Sequence, residues 1–201
     1  MTREQSKTLV IILHEIYGVN NHIHHYEKLL SMLGYEVLCP NLLHRDPFPY
    51  EREDEAYDYF MQSISFEKAA QEVSQLVEDY RSRYERIFLV GFSVGTTVAW
   101  MCSGEAEVDG VVGFYGSRIR SYVGVEPRCQ VQLIFSSQEK SLNVEELATG
   151  LSEKRGTGIQ IVEGRHGFMN PFHPAYDAIK AGVCMEQVLE LLRGNDVELI
   201  K

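Results

Sequence analysis

The chain has 201 residues, of which 44% are hydrophobic and 24% charged, and its formal net charge is −10. That length suits one domain with a sizeable core, and no shift in composition divides residues 1–201 into two. The acidic balance argues against nucleic acid or an anionic membrane as partner, since both call for basic patches.

The segment from Met1 to Lys7 is polar, and the apolar run after it (Leu9 to Leu13) is far too short for a signal or membrane segment. Thr8 to Leu13 is continuously apolar, the mark of a strand buried on both faces. It empties into His14-Glu15-Ile16-Tyr17-Gly18-Val19-Asn20. A helix is expected from near Asn21 to Leu33, with Tyr26, Leu29, Leu30 and Leu33 on one side and Gly34 as its stop. His22, His24 and His25 crowd its start. No carboxylate or Cys stands at supporting spacing, and His24 and His25 diverge on a helix, so a solvated helix start is expected rather than a metal site.

Tyr35 to Cys39 reads as a second strand, closed by Pro40. Arg45 to Tyr59 combines two prolines with several aromatics and a charged run, and two readings stand: a lid or pocket rim, or a surface loop leading into a helix. Phe66 to Tyr80 is helical by period, with Ala69, Val73, Leu76 and Val77 on the buried stripe.

The apolar run Ile87 to Val90 ends at Gly91-Phe92-Ser93-Val94-Gly95. A strand that turns sharply into a helix holds its middle residue up at the strand end, and brings the residues two before and two after close together. Gly at both places removes the Cβ atoms that would collide. The Ser93 hydroxyl would then sit above a helix N-terminus, where free N–H groups favour developing negative charge. The spacing is that of a nucleophile elbow.

Val108 to Phe114 is the next buried run, ending in Tyr115-Gly116, and Val131 to Phe135 another, ending in Ser136-Ser137-Gln138-Glu139. A helix from about Val144 to Lys154 leads to a short strand, Ile159 to Val162, which opens into Glu163-Gly164-Arg165-His166-Gly167-Phe168. A last helix begins after Pro174 and stops at Gly194, with Ile179, Val183, Val188, Leu191 and Leu192 as its apolar positions. Cys39, Cys102, Cys129 and Cys184 form no C-x-x-C pair and read as small core residues of a reduced, cytoplasmic protein. Strands alternate with helices throughout, so the expected fold is α/β: a mostly parallel sheet of about six or seven strands with helices on both faces. Ligands should bind beyond the carboxyl ends of the strands.

Glu15, Ser93, Glu139 and His166 all fall just after strand ends and should converge on one edge of the sheet. His166 is the expected general base, because an unassisted serine hydroxyl is too weakly acidic to attack. Ser93, then an acid, then His166 is the chain order of an α/β-hydrolase triad. Two backbone amides, of Ile16 and Val94, are the expected oxyanion donors. Tyr17, Tyr115 and Phe168 flank these loops and read equally as pocket walls or ordinary core.

Taken together, the loop from His14 to Asn20, the Gly34 to Pro40 strand, the elbow, Gly113-Phe114-Tyr115-Gly116 and Gly164 to Phe168 resemble the dienelactone hydrolase family over nearly the whole chain. The resemblance implies a small, cofactor-free α/β-hydrolase that opens lactones or other activated esters. Three differences stand out. The family's elbow carries Cys where this chain has Ser93, and in those Cys enzymes the Glu matching Glu15 contacts the resting thiol. With a serine that role is open, and Glu15 is expected to line the pocket.

The family's acid is an Asp in a G-x-x-D-x-x-apolar frame, read here as Ser136 to Leu142 with Glu139 in the acid's place. Glu is chemically able to orient His166. An insertion there would put Ser141 in that place instead, with Glu145 the nearest substitute. The Arg that follows the family's catalytic His has no counterpart in Phe168-Met169-Asn170-Pro171, so a neutral ester or lactone is as natural a substrate as an anionic one. Three functional readings remain at this level: a serine hydrolase of small esters or lactones, a catalytically degenerate binding protein on the same fold, and a thioesterase or acyltransferase. The sequence says nothing of how chains associate.

Overall fold

A computed structural model describes residues 7–139 and 142–194; Ser141, the alternative occupant of the acid's place, lies outside the described residues. Six strands form one wholly parallel sheet in the order β2-β1-β3-β4-β5-β6. They are β1 (Thr8–Leu13), β2 (Glu36–Leu38), β3 (Arg86–Phe92), β4 (Gly110–Phe114), β5 (Gln130–Gln138) and β6 (Thr157–Arg165). Between them run α1 (Asn21–Met32), α2 (Glu53–Tyr59), α3 (Phe66–Arg81), α4 (Val94–Glu105) and α5 (Val144–Ser152), and α6 (Ala178–Arg193) closes the fold. A 3₁₀ turn (Tyr50–Arg52) precedes α2 and a π-helical turn (Phe60–Ile64) follows it.

The continuous apolar run of β1 has its explanation in two cores. Leu9, Ile11 and Leu13 point into one, beneath α3, α4 and α5, while Val10 and Ile12 point into the other, beneath α1 and α6. A strand with helices on both faces has no polar side to alternate with. Helix ends follow local chemistry. Asn20 caps α1 by accepting from the His22 amide, Asp177 caps α6 through the Lys180 amide, and Gly194 ends α6 at φ 79°.

The buried face of α6 differs from the expectation. Ala181, Cys184, Met185, Val188, Leu191 and Leu192 pack inward, whereas Ile179 is 81% and Val183 44% exposed. The inward stripe keeps the i, i+3, i+4 spacing with smaller or softer side chains, and Ile179 and Val183 lie off it. Among the described residues, no helix is long and apolar enough to cross a membrane.

Candidate active site

The turn out of β3 is as tight as its glycines imply. A Cβ on Gly91 would lie 2.5 Å from the Gly95 carbonyl oxygen, and one on Gly95 would overlap the Leu13 carbonyl. Both conflicts are with backbone, which cannot swing aside. Between them Ser93 holds φ 54° and ψ −115°, a strained backbone for a residue with a side chain. The surroundings fix that conformation, with the Ser93 amide donating to the Phe114 carbonyl at 2.9 Å. Val94 opens α4, so its amide has no carbonyl one turn behind it to serve. It and Ile16, which follows β1, line the cavity beside Ser93.

Side chains from three strand ends meet here. His166 Nε2 lies 3.0 Å from Ser93 Oγ, and its Nδ1 lies 3.0 Å from each carboxylate oxygen of Glu139. An ionised carboxylate only accepts, so Nδ1 carries the hydrogen and Nε2 is left to accept from the serine hydroxyl. The Glu139 side chain is 7% exposed and that of His166 40%. Burial pulls the imidazole down, but the hydrogen bond and charge of Glu139, with the charges of Glu15 and Glu53, outweigh it and leave the His166 pKa raised.

Glu15 stands at the end of β1 on the cavity wall, almost fully buried. It accepts from the Tyr115 hydroxyl and from the Asn170 amide, each at 3.2 Å. Burial opposes its charge, yet the neighbouring His22 and His166 and the Tyr115 hydrogen bond hold its carboxyl below the usual range. Tyr115 is pushed well above the usual phenol range by burial and by Glu15, so it stays a donor.

His22 is not part of a solvated helix start: it is fully buried, edge-on to Phe92 and Tyr26, with Nδ1 3.3 Å from Glu15. His24 and His25 are exposed as expected. His22 lies on the same side of α1 as Ile23 and Tyr26, and side chains of other elements, Phe92 and Glu15, receive it there. Among the described residues no cluster of His, Cys, Asp or Glu is placed to hold a metal ion.

The cavity above Ser93 measures about 610 Å³. Tyr17 is on its wall, whereas Tyr115 and Phe168 are fully buried behind it, with the Tyr115 ring centre 4.7 Å from that of His166 and 5.6 Å from that of Phe168. The segment from Arg45 to Tyr59 contributes a wall as well as a helix. Glu53 and Tyr57 of α2 face the cavity, while Phe48 and Phe60 anchor the segment in the core. Arg118, Arg120, Arg165 and His173 complete the rim, with the Arg118 guanidinium 5.4 Å from the centre of the Tyr57 ring.

Several residues that shape the site carry no local sequence signal. Tyr50 accepts from Asn170 at 2.9 Å and Asn20 at 3.2 Å, joining three distant segments. His14 lies beneath the loop that carries Ile16. Its Nε2 accepts from the Leu42 amide at 3.0 Å, so its Nδ1, 2.6 Å from the Glu15 carbonyl, is the donor. Burial lowers the His14 pKa to about 4 and keeps it neutral for that task. A His at a strand end was the one visible sign.

Known proteins resemble this chain in sequence and in fold. The sequence model of the dienelactone hydrolase family matches residues 1–195. An uncharacterized protein of Bacillus subtilis, YczH, is 41% identical over 82% of each chain. Carboxymethylenebutenolidase 1 of Cupriavidus pinatubonensis is 24% identical, covering 93% of this chain and 86% of the relative. Among solved structures, a dienelactone hydrolase-like promiscuous phosphotriesterase from metagenomic libraries, P91, superposes with a TM-score of 0.74. It is 15% identical, and the match covers 95% of this chain and 87% of that one. The shared fold is that of the α/β-hydrolases.

Proposed function

The chain belongs to the dienelactone hydrolase family, and from that premise we propose that it is a serine hydrolase that cleaves a small ester or lactone through an acyl-enzyme on Ser93. The observation that carries the proposal is the single line of contacts from Ser93 Oγ through His166 to Glu139, each step 3.0 Å.

His166 Nε2 takes the hydroxyl proton as Ser93 Oγ bonds to the substrate carbonyl carbon. The carbonyl oxygen becomes an oxyanion, received by the amides of Ile16 and Val94. Glu139 holds the imidazole in the required tautomer and balances the imidazolium. Collapse expels the alcohol, which leaves with the proton from His166. Water then gives its proton to His166, attacks the acyl carbon and releases the acid, and Ser93 regains its hydrogen. These steps draw on no cofactor, and residues 1–201 act as one catalytic domain.

The cavity suits a small acyl and alcohol portion, with Tyr17 and Tyr57 as flat walls and Glu15 among its lining residues. The four cysteines carry free thiols, in keeping with a reducing compartment, and we assign the protein to the cytoplasm. A fluorophosphonate probe tests the reading. Stoichiometric labelling, lost in Ser93→Ala together with p-nitrophenyl acetate turnover, is the expected result. A protein that neither labels nor turns over ester would instead be a binding protein on a hydrolase fold.

A further inference from the structure

We propose that Ser136 is a positioning residue that fixes the carboxylate of Glu139 against His166; the proposal rests on the serine-hydrolase reading and deepens it. Ser136 is fully buried near the end of β5, and its hydroxyl donates to Glu139 Oε1. The same carboxylate faces the His166 Nδ1–H with both oxygens. A glutamate has one more rotatable bond than an aspartate, so a carboxylate reaching from position 139 needs a second anchor to stay in line. The hydroxyl of Ser136 is that anchor, on the oxygen it shares with His166.

The backbone around the contact is tied down in the same place. The β5–β6 register pairs Ser136 with Val162 and Gln138 with Arg165, so β6 carries an extra residue immediately before His166. Such bulges re-aim the residues that follow them. The Gly164 amide, inside the bulge, donates to Ser137 Oγ at 3.2 Å, linking the acid-bearing strand to the histidine-bearing one. Ser136 and Ser137 thus divide the work: one holds the acid's side chain, the other the backbone two residues before the histidine.

The test is a double-mutant cycle on ester turnover with Ser136→Ala and Glu139→Gln. Ser136→Ala is expected to lower kcat about tenfold with KM unchanged, the size expected for losing one hydrogen bond to a charged group. The acid limb of its kcat/KM profile should move to lower pH, because a carboxylate that swings away no longer supports the imidazole's proton. Ser136→Thr, which keeps the hydroxyl, should restore both. In the Glu139→Gln background Ser136→Ala should cost nothing further.

A tenfold loss that persists in that background would overturn the proposal and leave Ser136 a structural residue. So would an acid limb that stays or moves upward, since deleting a hydrogen bond from a carboxylate already held elsewhere makes it a stronger partner for the imidazole. If Ser136→Ala does not fold, Ser136→Cys supplies the same readings with a weak donor of similar size. Failure of the underlying reading is separately visible: the unaltered protein would then neither label with the fluorophosphonate probe nor turn over ester, and the Ser136 role would fall with it.

Discussion

Replacing Glu139 by Gln is the most searching perturbation of this site, because it keeps shape and removes charge. In the native arrangement the carboxylate can only accept, which forces the hydrogen onto His166 Nδ1 and leaves Nε2 open toward Ser93. A glutamine can turn its amide hydrogens toward Nδ1, stabilising the tautomer whose Nε2 already carries hydrogen and cannot take one from Ser93. In serine hydrolases an equivalent loss of the acid lowers kcat by up to about 10⁴-fold. The His166 side chain is 40% exposed, so solvent screens part of the interaction. We therefore expect a fall of about 10³-fold, roughly 4 kcal/mol of transition-state stabilisation.

The assay is p-nitrophenyl acetate hydrolysis across pH, with circular dichroism to verify that the fold is kept. KM should change little, because Glu139 acts on the imidazole rather than on the substrate's bound form. On the proposed mechanism turnover requires neutral His166, and Glu139 holds the His166 pKa above its ordinary value, so the acid limb should move down when that charge is lost. The charges of Glu15 and Glu53 remain and preserve part of the elevation. A fall of less than tenfold, with the acid limb in place, would refute the assignment of Glu139 as the orienting acid.

Three further outcomes are expected. His14 has a folded pKa of about 4 against an ordinary 6.5, so its contribution is complete above pH 6.5 and lost as pH falls toward 4. The loss amounts to roughly 3 kcal/mol; urea midpoints between pH 7.5 and 4.5 should fall less steeply in His14→Gln, and parallel slopes would contradict this. Iodoacetamide at pH 7.5 should leave turnover intact, since burial pushes the thiols of Cys39, Cys102 and Cys129 up to about 12 and that of Cys184 to about 11. Rapid inactivation would mean that Ser93 is not the nucleophile. On α6, Ile179→Ser should shift stability by less than about 0.5 kcal/mol, and Val188→Ala should cost about 2 kcal/mol; equal thermal shifts would reverse the facing of that helix.

The central strands were legible because burial on both faces leaves an unbroken apolar run, as Thr8–Leu13 illustrates. The elbow was legible because its glycines answer to a local steric demand. The meeting of Ser93, Glu139 and His166 followed from topology: parallel strands deliver their ends to one rim. What escaped were features decided by distant neighbours. His22 turns inward because Phe92 and Glu15, from other elements, receive it, and no pattern within α1 records that. Ile179 and Val183 are strongly apolar yet exposed, since the helix docks through a stripe that includes Ala181 and Cys184. The cavity-facing side of α2 was ambiguous because Glu53 and Tyr57 suit a solvated helix equally well. Asn170 and Tyr50 are ordinary polar residues until the fold brings them to Glu15 and to each other.

The strand order puts β6 on the outer edge, and with it the imidazole, 73 positions beyond the hydroxyl it serves. During synthesis the elbow emerges from the ribosome long before its partner. On the proposed mechanism Ser93 stays an ordinary alcohol until the final strand docks, and a chain cut short of residue 166 should be inert toward esters. On that mechanism reactivity is deferred to the completed fold, and the growing polypeptide carries no activated serine that a stray acyl donor could modify.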